Sequence, residues 1–267
     1  MTLIVGIRCL DGIVMASDSA ATYAQGVSPT IGQQEVTKVL KLGDSILFSS
    51  TGAVGISQVL ATSTKRLWDA KSFARKPNDK DDLRPSDAMM TIAKAIHEAV
   101  AGLLQSANNL VPLIGAPAAG ATVLCKSMVA LPIGRVPCLF QFDYSGAPEQ
   151  ATEQLPFIAL GSGQSIADPF LAFLKRILWK ERPPTVAEGR FVAAWTVQHV
   201  AQTNPGGVGL PLQLATLQVE QAVTKIEVSS DPSEHYQAIE AAEHALRDHI
   251  RAQGQSDNAA EVPKPGA

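Results

Sequence analysis

Only three cysteines occur in the 267 residues, with no C-x-x-C pair and no Cys/His spacing that would suggest zinc. Three thiols cannot complete a disulfide framework, and Cys9, Cys125 and Cys138 all lie in apolar stretches. They read as buried free thiols. Apolar runs long enough to span a bilayer, roughly 18 residues, are also missing. Arg8 and Asp11 interrupt the apolar start early, and no basic segment precedes it. The default expectation is therefore a reduced, cytoplasmic location without a membrane. Nor is there an excess of either charge. A net charge of −3 gives no reason to expect nucleic acid or an anionic lipid surface as a partner. The glycine-rich phosphate loop is absent as well. Gly161-Ser162-Gly163 lacks a third glycine at dinucleotide spacing and a following Lys-Ser/Thr pair. No cofactor is expected, and any ATP-driven engine must be a separate chain. His97, His199, His235, His244 and His249 fall in helical stretches without metal spacing. They read mostly as surface or helix-face residues, and no metal is expected.

What is present is core material. Hydrophobic residues make up 46% and charged residues 18%, which suits a single folded domain with extensions. Leu3–Cys9 and Ile13–Ser17 read as two strands around the Asp11-Gly12 turn. Both are almost continuously apolar, as a sheet covered on both faces requires. Val36–Leu42 and Ser45–Ser50 form a second expected hairpin across Gly43-Asp44. Helical periodicity covers Gly55–Trp68 and Pro85–Gln105, separated by a charged loop at Lys71–Arg84. Ala121–Cys125, Met128–Leu131, Cys138–Asp143 and Phe157–Gly161 read as strands. Gln164–Trp179 and Ala187–Gln202 read as helices parted by Pro183-Pro184. Pro211–Leu217 and Val223–Glu227 return to strand, and Pro232–Arg251 is an amphipathic helix. Residues 253–267 read as a mobile polar tail. The order is strands, two helices, strands, two helices, strands. This suits a layered α+β sandwich better than alternating βαβ units. The division expected is a domain over 1–230, a helical extension over 231–252 and the tail.

Thr2 carries the sharpest chemical signal. Once Met1 is removed, one residue holds both a hydroxyl and a free α-amine. An alcohol is a poor nucleophile until a base takes its proton. An α-amine titrates at about 7.7–8.0, low enough for a substantial fraction to be neutral near physiological pH.

Several fragments fit that chemistry in order and spacing: Thr2, Ala16-Ser-Asp-Ser-Ala-Ala-Thr22, Val36-Thr-Lys-Val39, Ser49-Ser-Thr-Gly52, Gly120-Ala-Thr122 and Leu160-Gly-Ser-Gly-Gln164. Together they resemble the β subunits of the proteasome and the HslV-type peptidase, members of the N-terminal nucleophile hydrolases. The short chain without a propeptide looks most like the bacterial proteasome homologues found outside the actinobacterial proteasomes. The resemblance spans roughly residues 2–227 and implies a four-layer αββα sandwich. It implies Thr2 as nucleophile, Lys38 beside it, Asp18 holding the lysine, the Gly52 N–H as oxyanion donor and Ser162 near the threonine amine. Thr22, Ser50 and Val54 match positions that line the substrate cleft, and the small Ser50 and Val54 suggest a roomy pocket. The implied activity is threonine-type endopeptidase within stacked homo-oligomeric rings of six or seven subunits, acting on peptides or unfolded protein, with a separate ATPase unfoldase as a possible partner.

The sequence also departs from the family. Gln202-Thr-Asn-Pro-Gly-Gly207 holds no acid where the family commonly has one, which leaves Thr203, Asn204, Ser162 or the backbone to order the amine. About four extra residues lie between Thr22 and Lys38, in Tyr23–Glu35. Each residue also has a plainer reading: Thr2 as a strand opener, Lys38 as a solvated mid-strand lysine, Asp18 as a turn former, Ser162 as a helix cap, Gly52 as a strand end. The competing functions are an inactive structural ring subunit and an amidohydrolase acting on a small amide.

Overall fold

The structure, a computed structural model, describes residues 2–23, 32–73, 84–114, 125–204, 208–220, 223–229 and 233–257. Two five-stranded antiparallel sheets face one another. The first has the order β10-β1-β2-β11-β12, built from Phe157–Gly161, Leu3–Arg8, Gly12–Asp18, Leu212–Glu220 and Val223–Ser229. The second runs β5-β6-β7-β8-β9, from Leu40–Leu42, Ile46–Gly52, Cys125–Ile133, Val136–Phe142 and Pro148–Gln150. A short ribbon pairs β3 (Ala20–Tyr23) with β4 (Gly32–Glu35).

Side-chain alternation assigns the layers. On β1 and β2, Leu3, Val5, Ile7, Val14 and Ala16 pack against helices α3 (Gln164–Leu178) and α4 (Val186–Thr203). Ile4, Ile13 and Met15 point the other way and meet Leu47, Met128 and Leu139 of the second sheet. The outer face of that sheet, with Phe48, Val129 and Phe140, is covered by α1 (Val54–Asp69) and α2 (Arg84–Ile114). The result is the four-layer αββα sandwich. A strand buried on both faces is apolar on both, which is why Leu3–Ile7 of β1 and Ile13–Ala16 of β2 show no polar alternation; the polar residues come at the strand ends. The sheets approach so closely at Gly6 that a Cβ there would lie 2.5 Å from Met128 Sδ. No helix among the described residues is long and apolar enough to cross a membrane.

Several expectations shift. Val36–Val39 is not strand, because the amides of Lys38 and Val39 are bound by a side chain, Gln213, instead of a neighbouring strand. The hairpin therefore begins at Leu40. Met128–Leu131 belongs to a longer strand beginning at Cys125, and residues 121–124 lie outside the described ones. Helix α2 runs on to Ile114. The last helix, α5, spans Ser233–Asp257, five residues into the expected tail; residues 258–267 lie outside the described ones, as does most of the expected Lys71–Arg84 loop. The ribbon β3-β4 and strand β9 have no counterpart in the sequence reading.

Helix α5 docks on α4 and β11. Ile239 is fully buried, the Tyr236 hydroxyl accepts from Leu212 N at 3.1 Å, and Trp195 Nε1 donates to Glu243 at 3.0 Å. His235 is buried rather than on the surface, with Nε2 3.5 Å from the Arg190 guanidinium, and burial lowers its pKa. All three cysteines are free and buried. Burial pushes the Cys125 and Cys138 thiols up to about 11 and raises Cys9 further.

Candidate active site

Asp18 ends β2 with its side chain wholly buried. Four donors converge on its carboxylate. Oδ1 accepts from Lys38 Nζ at 2.7 Å and from Leu3 N at 2.9 Å. Oδ2 accepts from Ala20 N at 3.3 Å and Gly209 N at 3.2 Å. A buried carboxylate is tolerable when a cation and hydrogen bonds replace its hydration, and this one has both.

Lys38 reaches Asp18 from the irregular segment before β5, with only 7% of its side chain exposed. Its backbone is clamped. Gln213 Oε1 accepts from Lys38 N at 2.7 Å and Val39 N at 3.3 Å, Gln213 Nε2 donates to Val36 O at 2.5 Å, and Ser49 Oγ donates to Lys38 O at 2.8 Å. So held, Lys38 Nζ also lies 3.2 Å from Thr2 Oγ1. Burial lowers the lysine pKa, and the hydrogen bond and charge of Asp18 oppose that shift without cancelling it.

Thr2 is fixed from the opposite side by the turn after β10. Ser162 Oγ accepts from Thr2 N at 3.2 Å, and Gly163 N donates to Thr2 O at 3.3 Å. Ser162 does not cap α3: the N-cap is Gly163 and has no side-chain hydrogen bond. Gly161 is required by two facts. Its φ is +103°, and a Cβ would fall 2.0 Å from Thr2 O. Gly161→Ala is therefore expected to cost at least about 2–3 kcal/mol, since a strained backbone and a displaced Thr2 strand would add. Thermal or denaturant unfolding measures it, and a variant of unchanged stability contradicts this packing.

The tertiary structure thus brings Thr2, Asp18, Lys38 and Ser162 together. Gly52 closes β6 at φ +121°, leaving its amide at the exposed strand end. Ser50 is hydrogen-bonded to Ser57 on α1, and Val54 opens that helix 68% exposed. Thr22 sits on β3 opposite Gln33, and its side chain lies outside the described ones. The hydroxyl of Thr203 turns back onto His199 O, and Asn204 is the C-cap of α4. Residues 205–207 lie outside the described ones. Gln213, Ser49 and Gly209 were missed by the sequence reading. A signal existed for Gln213, a lone polar residue on the inner face of a strand whose next inward residues are Ala215 and Leu217. Cavities of about 580 Å³, beside Trp68 and Phe73, and about 620 Å³, beside Arg190 and His235, are lined by none of Thr2, Asp18, Lys38 or Ser162.

A hydroxyl, a buried cation within hydrogen-bond reach of it and a saturated carboxylate behind the cation form a set suited to activating a nucleophile. The linkage sign for Lys38 follows from its lowered pKa. Between that pKa and about 10.4 the unfolded chain holds the proton more firmly, so burying Lys38 costs stability below its folded pKa and the cost fades as pH rises through that window. A rate that needs the ammonium form should decline on the alkaline side earlier than an ordinary lysine would allow. A kcat/KM profile against pH checks this; an alkaline limb at or above about 10.4 contradicts it.

Residues 2–67 match the family model for "Proteasome subunit". A proteasome subunit beta of Methanococcus aeolicus is 30% identical over 96 residues, covering 36% of this chain and 41% of that protein. One of Methanococcus vannielii is 27% identical over 166 residues, covering 62% and 63%. The chain thus spans about two-fifths of the length of the first of these relatives. Among solved structures, the Anbu complex of Pseudomonas aeruginosa, described as a helical assembly, superposes with a TM-score of 0.65 at 20% identity, covering 99% of this chain and 98% of that one.

Proposed function

Starting from a chain related to the proteasome β subunits, we propose that it is a threonine-type endopeptidase whose nucleophile is Thr2 Oγ1, freed for catalysis when the peptide bond before Thr2 is cleaved. The observation that carries this reading is the contact of Lys38 Nζ with both Thr2 Oγ1, at 3.2 Å, and Asp18 Oδ1, at 2.7 Å. The freed α-amine takes the hydroxyl proton while Oγ1 attacks the substrate carbonyl. The Lys38 ammonium disfavours a second charge on that amine and so keeps it available as a base. Oγ1 and the carbonyl carbon form an ester as the C–N bond breaks, and the amine passes its proton to the leaving nitrogen. Water then hydrolyses the ester. The Gly52 N–H faces the developing oxyanion, a role worth about 3 kcal/mol where such donors are preorganised. Ser162 Oγ orients the amine, a task that gains weight without an acid in 202–207. Ser50, Val54 and Thr22 line the cleft for the substrate side chain.

Self-assembly belongs to the same reading. Subunits close into rings with the sites facing an inner chamber, which admits peptides and unfolded protein and excludes folded ones. Unfolding, where needed, falls to a separate ATPase. The cytoplasm suits a chain with three free thiols. An inactive ring subunit is the second reading, and the intact set of Thr2, Lys38, Asp18 and Ser162 argues against it. The deciding experiment is intact mass before and after a threonine-directed electrophile. The expected result is a chain beginning at Thr2 that gains one inhibitor mass. A terminus still blocked, or no adduct on a free Thr2, overturns the proposal.

A further inference from the structure

Strand β12 ends the first sheet. Its inner edge pairs with β11 from Val223 opposite Glu220 to Ser229 opposite Leu214, and no strand among the described residues lies on its outer edge. Such an edge presents a row of backbone donors and acceptors to which another strand can add. It is also unusually open: Val223 is 67% and Val228 53% exposed, and Lys225 and Glu227 are exposed without an ion pair among the described residues. A lysine on an edge strand ordinarily discourages addition. Here the order Val223-Thr-Lys-Ile-Glu-Val-Ser229 reverses that effect, because the segment is self-complementary about Ile226.

We propose that β12 pairs antiparallel with β12 of a second copy of this chain. Ile226 then faces its own equivalent. Lys225 lies opposite the partner's Glu227, and Glu227 opposite the partner's Lys225. The two-fold axis gives both ion pairs from one arrangement, as an isologous interface must. Charge also selects the register. A shift of the axis to residue 225 sets lysine against lysine, and a shift to residue 227 sets glutamate against glutamate. A slip of one residue turns the charged row toward the inner face. That inner face matters, since Ile226 lies opposite Leu217 and packs on the core between the sheets. The pairing would carry this apolar layer across two copies and join two five-stranded sheets edge to edge. The inference stands apart from the peptidase reading, and its test reads no activity.

The test is site-directed disulfide trapping in the full chain. Ile226→Cys is expected to give a covalent dimer under mild oxidation, because directly opposed Cα atoms lie about 4.5–5.5 Å apart, within the range a disulfide spans. Lys225→Cys alone should give little, since its own equivalent is staggered beyond about 7 Å. Mixing Lys225→Cys chains with Glu227→Cys chains should give the mixed dimer, and this pair of exposed positions keeps the test decisive if Ile226→Cys fails to fold. Adding Lys225→Glu to Ile226→Cys should cut the dimer yield about tenfold at limiting concentration, and adding Glu227→Lys as well should restore it. Absence of the Ile226→Cys dimer from a folded chain, equal trapping by Lys225→Cys alone, or indifference to charge reversal would overturn the pairing.

Discussion

Thr2→Ala is expected to lower peptide hydrolysis by about a millionfold, the scale seen when the nucleophile of an acyl-transfer enzyme is deleted. The fold should survive, because the substitution removes only a hydroxyl and a methyl from the residue that precedes β1. The backbone contacts of residue 2, with Ser162 Oγ on its nitrogen and Gly163 N on its oxygen, do not depend on that hydroxyl. The hydrogen bond from Lys38 is lost, at about 1 kcal/mol net. Asp18 still pairs with the lysine, so no orphaned buried charge is created. Peptide turnover alongside thermal unfolding tests both halves. Residual cleavage within a hundredfold of the parent would place the nucleophile elsewhere. A large loss of stability would make Thr2 a structural residue first.

Removing Asp18 should do far more damage to the fold. Asp18→Ala leaves Lys38 buried without its anion and strips the acceptor from the amides of Leu3, Ala20 and Gly209. Breaking a buried ion pair from one side costs about 3–5 kcal/mol, and orphaned donors add to it. Against a total stability of about 5–15 kcal/mol, that brings the chain close to unfolding. Asp18→Asn separates charge from shape. It keeps an acceptor for one pair of donors and sets an NH2 against the other, so it should fold with a smaller loss than Asp18→Ala, while the lysine loses the charge that opposes its lowered pKa. Its alkaline limb should then move to lower pH than in the parent. Near-parental stability of Asp18→Ala, or an Asp18→Asn profile identical to the parent, would show that the carboxylate charge is not what holds Lys38.

Much of the sandwich was legible because strands buried on both faces are apolar on successive residues, as Leu3–Ile7 and Ile13–Ala16 are, and because amphipathic helices reveal their period. The boundaries of Phe157–Gly161 were read directly, with Gly161 and Ser162 marking the turn. One departure has a visible cause. Val36–Val39 has strand composition, yet its amides are taken by Gln213, which lies some 175 residues away in sequence. The extension of α2 to Ile114 and the pairing of β3 with β4 were likewise not read from the local pattern.

From the order of residues alone came Thr2 as a hydroxyl joined to a potential amine, the layered α+β class, and the matching fragments around Asp18, Lys38, Gly52 and Ser162. Those are properties of covalent sequence and local period. Only the tertiary structure decided that Lys38 Nζ lies between Asp18 Oδ1 and Thr2 Oγ1, that Asp18 is saturated by four donors, and that Gly161 makes room for the carbonyl of Thr2. The physical reason is that burial and hydrogen bonding act through space. They turn a lysine that would be solvated on an isolated segment into a buried cation held by an aspartate at the end of β2, in the opposite sheet.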